Sequence, residues 1–374
     1  MQTYHRAHFK DSRDMQAIAA ASVELVVTSP PYPMIEMWDE GFSARSAAVL
    51  KALTKHDGRA AFALMHAMLD AVWKETHRIL KPGGFACINI GDAARTIGGD
   101  FMLYPNHARI LTCLLELGFT PLPAILWRKQ TNAPNKFMGS GMYPAGAYVT
   151  LEHEYILIVR KGSKREFDSE AEKRRRRESA VFWEERNAWY SDVWMELKGT
   201  RQDLRQKDTR SRSGAFPFEL AYRLISMFSV KGDTVVDPFL GTGTTLKAAA
   251  AAGRNSIGYE IEPGFRADIF SDPSAVAAQA RQRVQARIDD HLAFIEDRRA
   301  AGREIRYLNR HYGFPVVTRQ EMDLLLDVLE GLSPGEDPDS LQATYAEDPI
   351  RIADPQRLVS LGPTPDATGQ LSLF

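Results

Sequence analysis

The chain has 374 residues, of which 44% are hydrophobic and 25% are charged, so it is long enough to bury a large core. Its net charge of −1 excludes a global basic field, and a nucleic-acid partner would have to be attracted by a local basic region. Two cysteines, Cys87 and Cys113, are too few for a disulfide scaffold, and the polar N-terminus and short apolar runs predict a cytoplasmic protein that does not span a membrane.

The first predicted strand ends in a rigid loop. An apolar run over residues 22–27 (SVELVV) is typical of a buried strand, and the sequence TSPPY follows it directly. Adjacent prolines restrict their own φ and the residue before each of them, so the strand must stop in a stiff, extended loop. Such a loop holds the Ser29 hydroxyl, the Pro30 carbonyl and the Tyr32 ring in fixed positions.

Further strands and helices alternate as far as about residue 262. In chain order the patterns predict a helix at 61–80, a strand at 85–90, a helix at 106–117, strands at 122–127 and 155–159, a helix at 217–228, a strand at 234–236, a helix at 246–252 and a strand at 256–260. This alternation predicts an α/β fold with a mostly parallel sheet and helices on both faces.

Three segments depart from this pattern. Residues 160–212 carry 16 lysines and arginines against 11 acidic residues, together with several tryptophans. Residues 271–310 are predicted to be helical and amphipathic. Beyond residue 331, several prolines and an excess of acidic residues predict a loosely packed or flexible tail.

A second loop, TVVDPFLGTGTT, has the composition of a nucleoside-binding turn. A strand delivers Asp237, the glycines Gly241 and Gly243 let a ligand approach the backbone, and a helix starts near Thr244. The helix N-terminus favours a carboxylate, whereas Asp237 can hold an ammonium. Glu260, at the end of the next strand, is placed to accept hydrogen bonds from two ribose hydroxyls. An ammonium, a carboxylate and a ribose together describe S-adenosylmethionine.

TSPPY followed by DPFLGTGTT resembles the amino-methylating DNA methyltransferases, which modify N4 of cytosine or N6 of adenine. RILKPGGFACINIGD, HEYILIVRK and FPFELAYRLI resemble other ordered blocks of that family, and the likeness runs from about residue 20 to 265. The catalytic block precedes the cofactor block, which is the permuted beta order of the family. The resemblance implies a Rossmann-like S-adenosylmethionine-dependent methyltransferase fold, with a target-recognition region between HEYILIVRK and FPFEL.

This order implies five regions. Residues 1–160 and 213–265 would form the catalytic and cofactor-binding halves of the methyltransferase domain, 161–212 the inserted target-recognition region, 266–330 a helical C-terminal extension and 331–374 a flexible acidic tail. The recognition region contains a basic run that we expect to contact DNA phosphates, with a solvated helix face as the alternative. The run consists of Lys173, Arg174, Arg175, Arg176 and Arg177.

The resemblance also implies the roles of the site residues. The Ser29 hydroxyl and the Pro30 carbonyl would accept hydrogen bonds from the target amine, and Tyr32 would stack on a base extruded from the duplex. The candidate catalytic residues are Ser29, Pro30, Pro31 and Tyr32. The candidate cofactor-binding residues are Asp237, Phe239, Gly241, Gly243, Thr244, Thr245 and Glu260. The resemblance adds Phe216 and Pro217, and Asp92 is a further candidate because it follows a predicted strand and Gly91. A hydrophobic staple is the alternative for Phe216 and Pro217, and a turn or cap for Asp92.

The sequence leaves alternatives for the target base, for the partners and for the overall function. In the family, serine at position 29 goes more often with N4 of cytosine, and N6 of adenine is the alternative. Side-chain chemistry does not decide between them, because hydroxyls and carboxylates both accept hydrogen bonds from an amine. The expected partner is double-stranded DNA, with a companion restriction endonuclease and a homodimer left open. An RNA or protein amine methyltransferase and a non-catalytic DNA-binding protein are the other candidate functions. The histidines, including His153, show no metal-binding spacing, and no metal site is predicted.

Overall fold

The structure is a computed structural model that describes residues 1–129, 149–197 and 216–350. The described strands, in chain order, are β1 (Gln2–His8), β2 (Val23–Thr28), β3 (Leu80–Ile90), β4 (Ala93–Ile97), β5 (Asp100–Tyr104), β6 (Phe119–Arg128), β7 (His153–Lys161), β8 (Val193–Trp194), β9 (Thr234–Asp237), β10 (Asn255–Tyr259), β11 (Tyr307–Leu308), β12 (Pro315–Val316), β13 (Leu329–Pro334) and β14 (Ser340–Tyr345).

The described helices lie between these strands. They are α1 (Asp39–Arg45), α2 (Ala47–Thr54), α3 (Gly58–Ile79), α4 (Asn106–Glu116), α5 (Glu170–Glu178), α6 (Trp183–Trp189), α7 (Phe218–Phe228), α8 (Thr244–Ala251), α9 (Arg266–Ile269) and α10 (Pro273–Ala300). Short 3-10 turns occur at Glu36–Trp38, Pro263–Phe265 and Arg319–Glu321. Within the described part of the chain, no helix is both long and apolar enough to cross a membrane.

Ten of these strands form one sheet in the order β13-β14-β1-β10-β9-β2-β3-β7-β6-β8. The five strands from β1 to β3 in this order are parallel, and antiparallel pairs flank them on both sides. The carboxyl ends of the five parallel strands therefore share one edge of the sheet. Open α/β sheets bind their ligands at this edge, so this edge is where the functional site is expected.

The strand β2 shows why the sheet is buried on both faces. All six of its residues are buried, which accounts for an apolar run without alternation. Leu25 and Val27 belong to the apolar cluster that contains α7 and α8, whereas Val26 packs into the cluster that contains α3 and α4. The predicted α/β fold, with a mostly parallel sheet covered on both faces, is confirmed.

Both ends of the described chain join this sheet, which corrects the prediction of a flexible tail from residue 331. The strand β14 pairs antiparallel with β1, and β13 pairs with β14. Leu341, Ala343 and Tyr345 alternate with more exposed residues, and this period-2 pattern outweighs the local prolines and acids. The remaining tail, 351–374, lies outside the described residues.

The N-terminal strand β1 was not predicted, because two of its three buried positions are polar. Thr3 and His5 are fully buried and bond to each other at 2.9 Å. The Thr3 hydroxyl also bonds to Tyr345 Oη at 2.8 Å, and His5 Nδ1 bonds to Ser256 Oγ at 2.9 Å. The hydrogen bonds replace the apolar contacts that a hydrophobic pattern would have revealed.

The C-terminal extension is only partly helical. A helix over 271–310 was predicted, but α10 ends at Ala300, and residues 301–328 form turns and the small hairpin β11–β12. This segment has its own apolar cluster, which includes Phe182 from the predicted recognition region. His291, fully buried on α10, bonds Glu184 through Nδ1 at 2.7 Å and the Pro315 carbonyl through Nε2 at 2.9 Å. The extension and the start of α6 are thus packed together.

Candidate active site

The two predicted loops meet at the carboxyl ends of β2 and β9, which are neighbours in the sheet. The Thr28 hydroxyl, at the end of β2, donates to Asp237 Oδ1 at 2.5 Å. The Thr245 hydroxyl, in the first turn of α8, donates to Asp237 Oδ2 at 2.6 Å, and the backbone N–H of Phe239 donates to Oδ1 at 3.0 Å. Asp237 therefore joins the TSPPY loop, its own loop and the start of α8.

Asp237 is a poorly solvated carboxyl group. Its residue is 3% exposed, and burial raises its pKa to about 6 even though three hydrogen-bond donors favour the ionised form. A cation placed beside this group would offset the cost of its burial. This environment fits the ammonium group that the sequence assigned to Asp237.

The loops line a cleft of about 760 Å³. The cleft is bounded by the predicted residues Ser29, Pro30, Pro31, Tyr32, Phe216, Asp237, Phe239, Gly241, Thr244 and Glu260. Its remaining wall was not predicted and includes an N-terminal turn, Lys10, Asp11, Ser12 and Arg13, and an apolar group of Ile35, Trp38, Phe42, Met68, Leu69 and Val72. Candidate catalytic and cofactor residues thus face one space.

Backbone N–H groups hold the Glu260 carboxylate in place beside the loop between β9 and α8. Its Oε2 accepts from the backbone N–H of Gly241 at 2.8 Å, and its Oε1 accepts from that of Glu262 at 2.8 Å. Burial raises the pKa of Glu260 as well. Each oxygen retains acceptor capacity, so the side chain can still accept from two hydroxyls.

The start of α8 depends on glycine. Gly243 is the N-cap of this helix and has φ of 81°, in the left-handed region where a side chain is strained. A Cβ at Gly243 would also lie 3.3 Å from Ile269 Cα. Gly243 and Thr245 do not line the cleft, so they shape and anchor the turn from behind.

Two further candidate cofactor residues, Asp92 and Pro217, also lie outside the cleft wall. Asp92 is buried and accepts from the His107 backbone N–H at 3.0 Å and from its Nδ1 at 2.7 Å, so it holds the start of α4. Pro217 is the N-cap residue of α7, and its carbonyl accepts from the Leu220 N–H at 3.0 Å. The cap alternative describes the observed contacts of Asp92, whereas Pro217 lies at the N-terminus of α7 as a backbone cap.

A polar cluster beside Ser29 was missed by the sequence analysis. It consists of Tyr32, Asn89 from β3, Glu154 from β7 and Lys129 next to the end of β6. Lys129 and Glu154 line the cleft. An acidic residue inside the apolar strand of HEYILIVRK was the available signal, since a buried carboxylate needs partners.

The basic run does not reach this cleft. The end of α5 is attached near the amino end of β9, where the Lys231 N–H donates to Ser179 Oγ at 2.9 Å. The cleft lies at the opposite edge of the sheet. Three side chains of the run are paired with acids, in the ion pairs Lys173–Glu170, Arg174–Glu178 and Arg177–Asp323. The structure therefore does not support the run as a contact to DNA that enters the cleft.

The segment of the predicted recognition region from Phe182 to Leu197 packs partly into the fold. Trp189 and Trp194 are buried in the main apolar cluster, while Trp183 and Tyr190 are partly exposed. The buried rings cannot contact bases. Residues 198–212 of the predicted region lie outside the described residues.

Comparisons with known proteins agree with this geometry. The model of the N6/N4 DNA methylase family matches residues 23–271. The type II methyltransferase M.MthZI of Methanothermobacter thermautotrophicus is 52% identical over 327 residues, which are 87% of this chain and 91% of that protein. M.MjaI of Methanocaldococcus jannaschii, also a type II methyltransferase, is 49% identical over a stretch that covers 71% of this chain and 89% of M.MjaI.

A solved structure is similar as well. TTHA0409 of Thermus thermophilus, in complex with S-adenosyl-L-methionine, is 32% identical, covers 72% of this chain and 97% of its own, and has a TM-score of 0.53. The family match extends over both loops of the cleft. This chain therefore belongs to the N6/N4 DNA methylase family, and S-adenosylmethionine is its cofactor.

Proposed function

We propose that the chain is a site-specific type II methyltransferase of double-stranded DNA whose target is N4 of a cytosine extruded from the duplex. The observation that carries this proposal is the meeting of the TSPPY loop and the Asp237–Thr245 loop in one cleft. The first loop offers acceptors and an aromatic ring to a base, and the second offers carboxylates and a helix terminus to the cofactor.

The second loop has the groups to hold each part of the cofactor. Asp237 suits its ammonium, because a buried carboxylate gains from a cation. The free N–H groups at the start of α8 suit its carboxylate, and Glu260 suits its ribose hydroxyls. Phe239 offers an apolar surface for the adenine. When bound, S-adenosylmethionine supplies an activated methyl group on a sulfonium.

The first loop has the groups to prepare the amine. The lone pair of an exocyclic amine is delocalised into the base, which makes the nitrogen a poor nucleophile. Ser29 Oγ and the Pro30 carbonyl would each accept one N–H bond and so hold the nitrogen closer to tetrahedral geometry. The lone pair is then free for methylation, and positioning supplies most of the catalysis.

The base has to leave the duplex, because its amine is otherwise paired. Extrusion costs a few kcal/mol, which stacking in the cleft would offset. Tyr32 is half-buried in the cleft wall, and its hydroxyl is tethered to Glu154 at 2.9 Å, so the orientation of its ring is fixed. We propose that an extruded base stacks on this ring.

The choice of cytosine and of a type II system comes from two further observations. Serine at position 29 goes more often with cytosine in this family. The relatives at 52% and 49% identity are both type II methyltransferases, which favours a companion restriction endonuclease over an orphan enzyme. A cytoplasmic location is part of the same proposal.

Methyl transfer from labelled S-adenosylmethionine to duplex DNA, RNA and protein substrates tests this function. We expect label in duplex DNA of a defined sequence and background levels in RNA and protein. Label confined to RNA or protein would show that the substrate is RNA or protein and not DNA. Duplex binding without transfer of label would favour the non-catalytic alternative.

A further inference from the structure

Ser29 is connected to a buried carboxylate through a chain of hydrogen bonds. Ser29 Oγ lies 3.1 Å from Tyr32 Oη, and Tyr32 Oη lies 2.9 Å from Glu154 Oε2. Asn89 Nδ2 donates to Tyr32 Oη at 2.8 Å and to Glu154 Oε2 at 2.7 Å. The other carboxylate oxygen, Oε1, is ion-paired with Lys129 Nζ. Glu154 is 9% exposed, so the protein supplies most of its partners.

The chemistry of these groups sets the direction of the chain. A carboxylate only accepts hydrogen bonds, so the single Tyr32 proton must point to Glu154. The Tyr32 oxygen can then only accept, and Asn89 also donates to it. The Ser29 hydroxyl must therefore donate its proton to Tyr32. Apart from a long contact of 3.5 Å from Asn89 Nδ2, this arrangement leaves the lone pairs of Ser29 Oγ for a ligand in the cleft.

A serine needs such a device, because its hydroxyl can rotate between donating and accepting. A hydroxyl that pointed its proton at the amine nitrogen would compete for the lone pair that has to attack the methyl group. An aspartate in the same place would have no such choice, since it only accepts.

We propose that Glu154 is a positioning residue that fixes the direction of this chain, so that Ser29 presents a lone pair to the target amine. The inference deepens the proposed function and depends on the role of Ser29 given there. Glu154 acts through Tyr32 and does not need to touch the base.

Lys129 makes the inference testable with a nearly isosteric substitution. In a Glu154→Gln variant, the amide oxygen is held toward the Lys129 ammonium, because that ammonium can only donate. The amide NH₂ then faces Tyr32 and also the Asn89 Nδ2 that donates to Oε2 in the wild type, so the acceptor that held the Tyr32 proton is lost. Without this acceptor, the Tyr32 proton can turn toward Ser29, and the Ser29 proton can turn toward the amine. One substitution thus removes the group that sets the direction of the chain.

We would measure single-turnover methyl transfer to duplex DNA, together with the binding of cofactor and DNA and the thermal unfolding of each variant. Glu154→Gln should lower the rate at least about tenfold, which corresponds to one misdirected hydrogen bond, with both binding constants within about twofold of wild type. Glu152→Gln is the matched control. Glu152 lies two residues earlier, is half-exposed and pairs with Arg128, so its substitution should leave the rate unchanged.

Two double variants test whether the rate depends on the direction of the hydrogen bonds or only on the packing of these side chains. In a Tyr32→Phe background the chain is already broken, so adding Glu154→Gln should change the rate less than about twofold. Adding Lys129→Met to Glu154→Gln frees the amide to rotate, so the oxygen can face Tyr32 again and part of the lost rate should return. Loss of packing alone would not produce such a recovery.

The outcomes also distinguish this inference from the function on which it depends. Absence of methyl transfer by the wild-type protein would overturn the proposed function itself. An active wild type with an equally active Glu154→Gln variant would overturn only the inference. A rate loss that persists in the Tyr32→Phe background, or that follows weakened binding or unfolding, would also overturn it.

Discussion

The Thr28 hydroxyl donates a 2.5 Å hydrogen bond to Asp237, joining two segments that are 209 residues apart in the chain. Thr28 immediately precedes the proposed base-binding residue Ser29, and Asp237 opens the cofactor loop. The contact is fully buried, because Thr28 is 0% and Asp237 is 3% exposed. Together with the pairing of β2 and β9, this buried bond fixes the position of the proposed base-binding loop relative to the cofactor loop.

We expect Ser29→Ala to lower the rate of methyl transfer roughly 100-fold, because the amine loses one of its two positioned acceptors. Cofactor binding should stay within about twofold of wild type, since the hydrogen bonds of the Ser29 hydroxyl go to Tyr32 and Asn89 and not to Asp237 or Glu260. Single-turnover rates and calorimetry measure the two quantities. An equal loss of both would show that the two loops do not divide their tasks as proposed.

Cofactor affinity should fall as the pH falls through about 6. The pKa of Asp237 is raised to about 6 by burial, so the carboxyl becomes neutral below that pH and no longer attracts an ammonium. Burial raises the pKa of Glu260 in the same direction. Calorimetry across pH 5 to 8 measures this dependence. An affinity that is constant over this range would remove Asp237 from the cofactor site.

The variant Asp237→Asn separates the charge from the shape of that side chain. It should weaken cofactor binding about tenfold at pH 8 and flatten the pH dependence, because the amide neither carries a charge nor titrates. Binding equal to wild type at pH 8 would show that Asp237 only connects the loops and does not bind the cofactor.

Gly91→Ala should impair methyl transfer more than cofactor binding. A Cβ at Gly91 would lie 2.9 Å from Tyr32 Cε2 and 3.3 Å from Glu154 Cγ, so the ring has to shift. We expect a rate loss of about tenfold or more at unchanged cofactor affinity. Gly264→Ala is the control, because a Cβ there meets nothing within 4 Å, and it should leave the rate unchanged. Gly302→Ala is not suitable as a control, because φ is positive at Gly302. Equal activity of the Gly91→Ala and Gly264→Ala variants would exclude a tight Tyr32 pocket.

Neutralising the basic run should leave the salt dependence of DNA binding unchanged. Lys173, Arg174 and Arg177 are paired with acids, and α5 lies near the amino end of β9, away from the cleft. Removing one ionic contact to a phosphate would reduce the slope of log K against log salt by about 0.9. Binding titrations between about 50 and 200 mM salt, on wild type and on a variant with all five residues changed to glutamine, measure the slope. A flatter slope in the variant would restore the run as a DNA contact.

The sequence predicted the part of the fold that follows apolar patterning. The strand β2, the helix α3 and the loop after β9 have local signals that agree with their final environment, so the site loops and the sheet edge were foreseeable. The alternation of strands and helices carries the same information.

The parts that were missed depend on polar burial and on long-range contacts. Thr3 and His5 fill buried positions of β1 with hydrogen-bonding groups, and the tail strands depend on pairing with β1 and on packing against distant parts of the chain. Glu154 is another buried polar group, and its partners come from distant segments. The position of the basic run could not be predicted for a related reason, because charge composition does not tell which end of a sheet a helix will occupy.

Nucleoside mass spectrometry of duplex DNA after incubation with the purified protein and methyl-labelled S-adenosylmethionine tests the central claim most directly. We predict labelled N4-methylcytosine at one recognition sequence, and none with the Ser29→Ala variant. Labelled N6-methyladenine would contradict the choice of base, and unlabelled DNA under conditions of cofactor binding would contradict the proposed reaction.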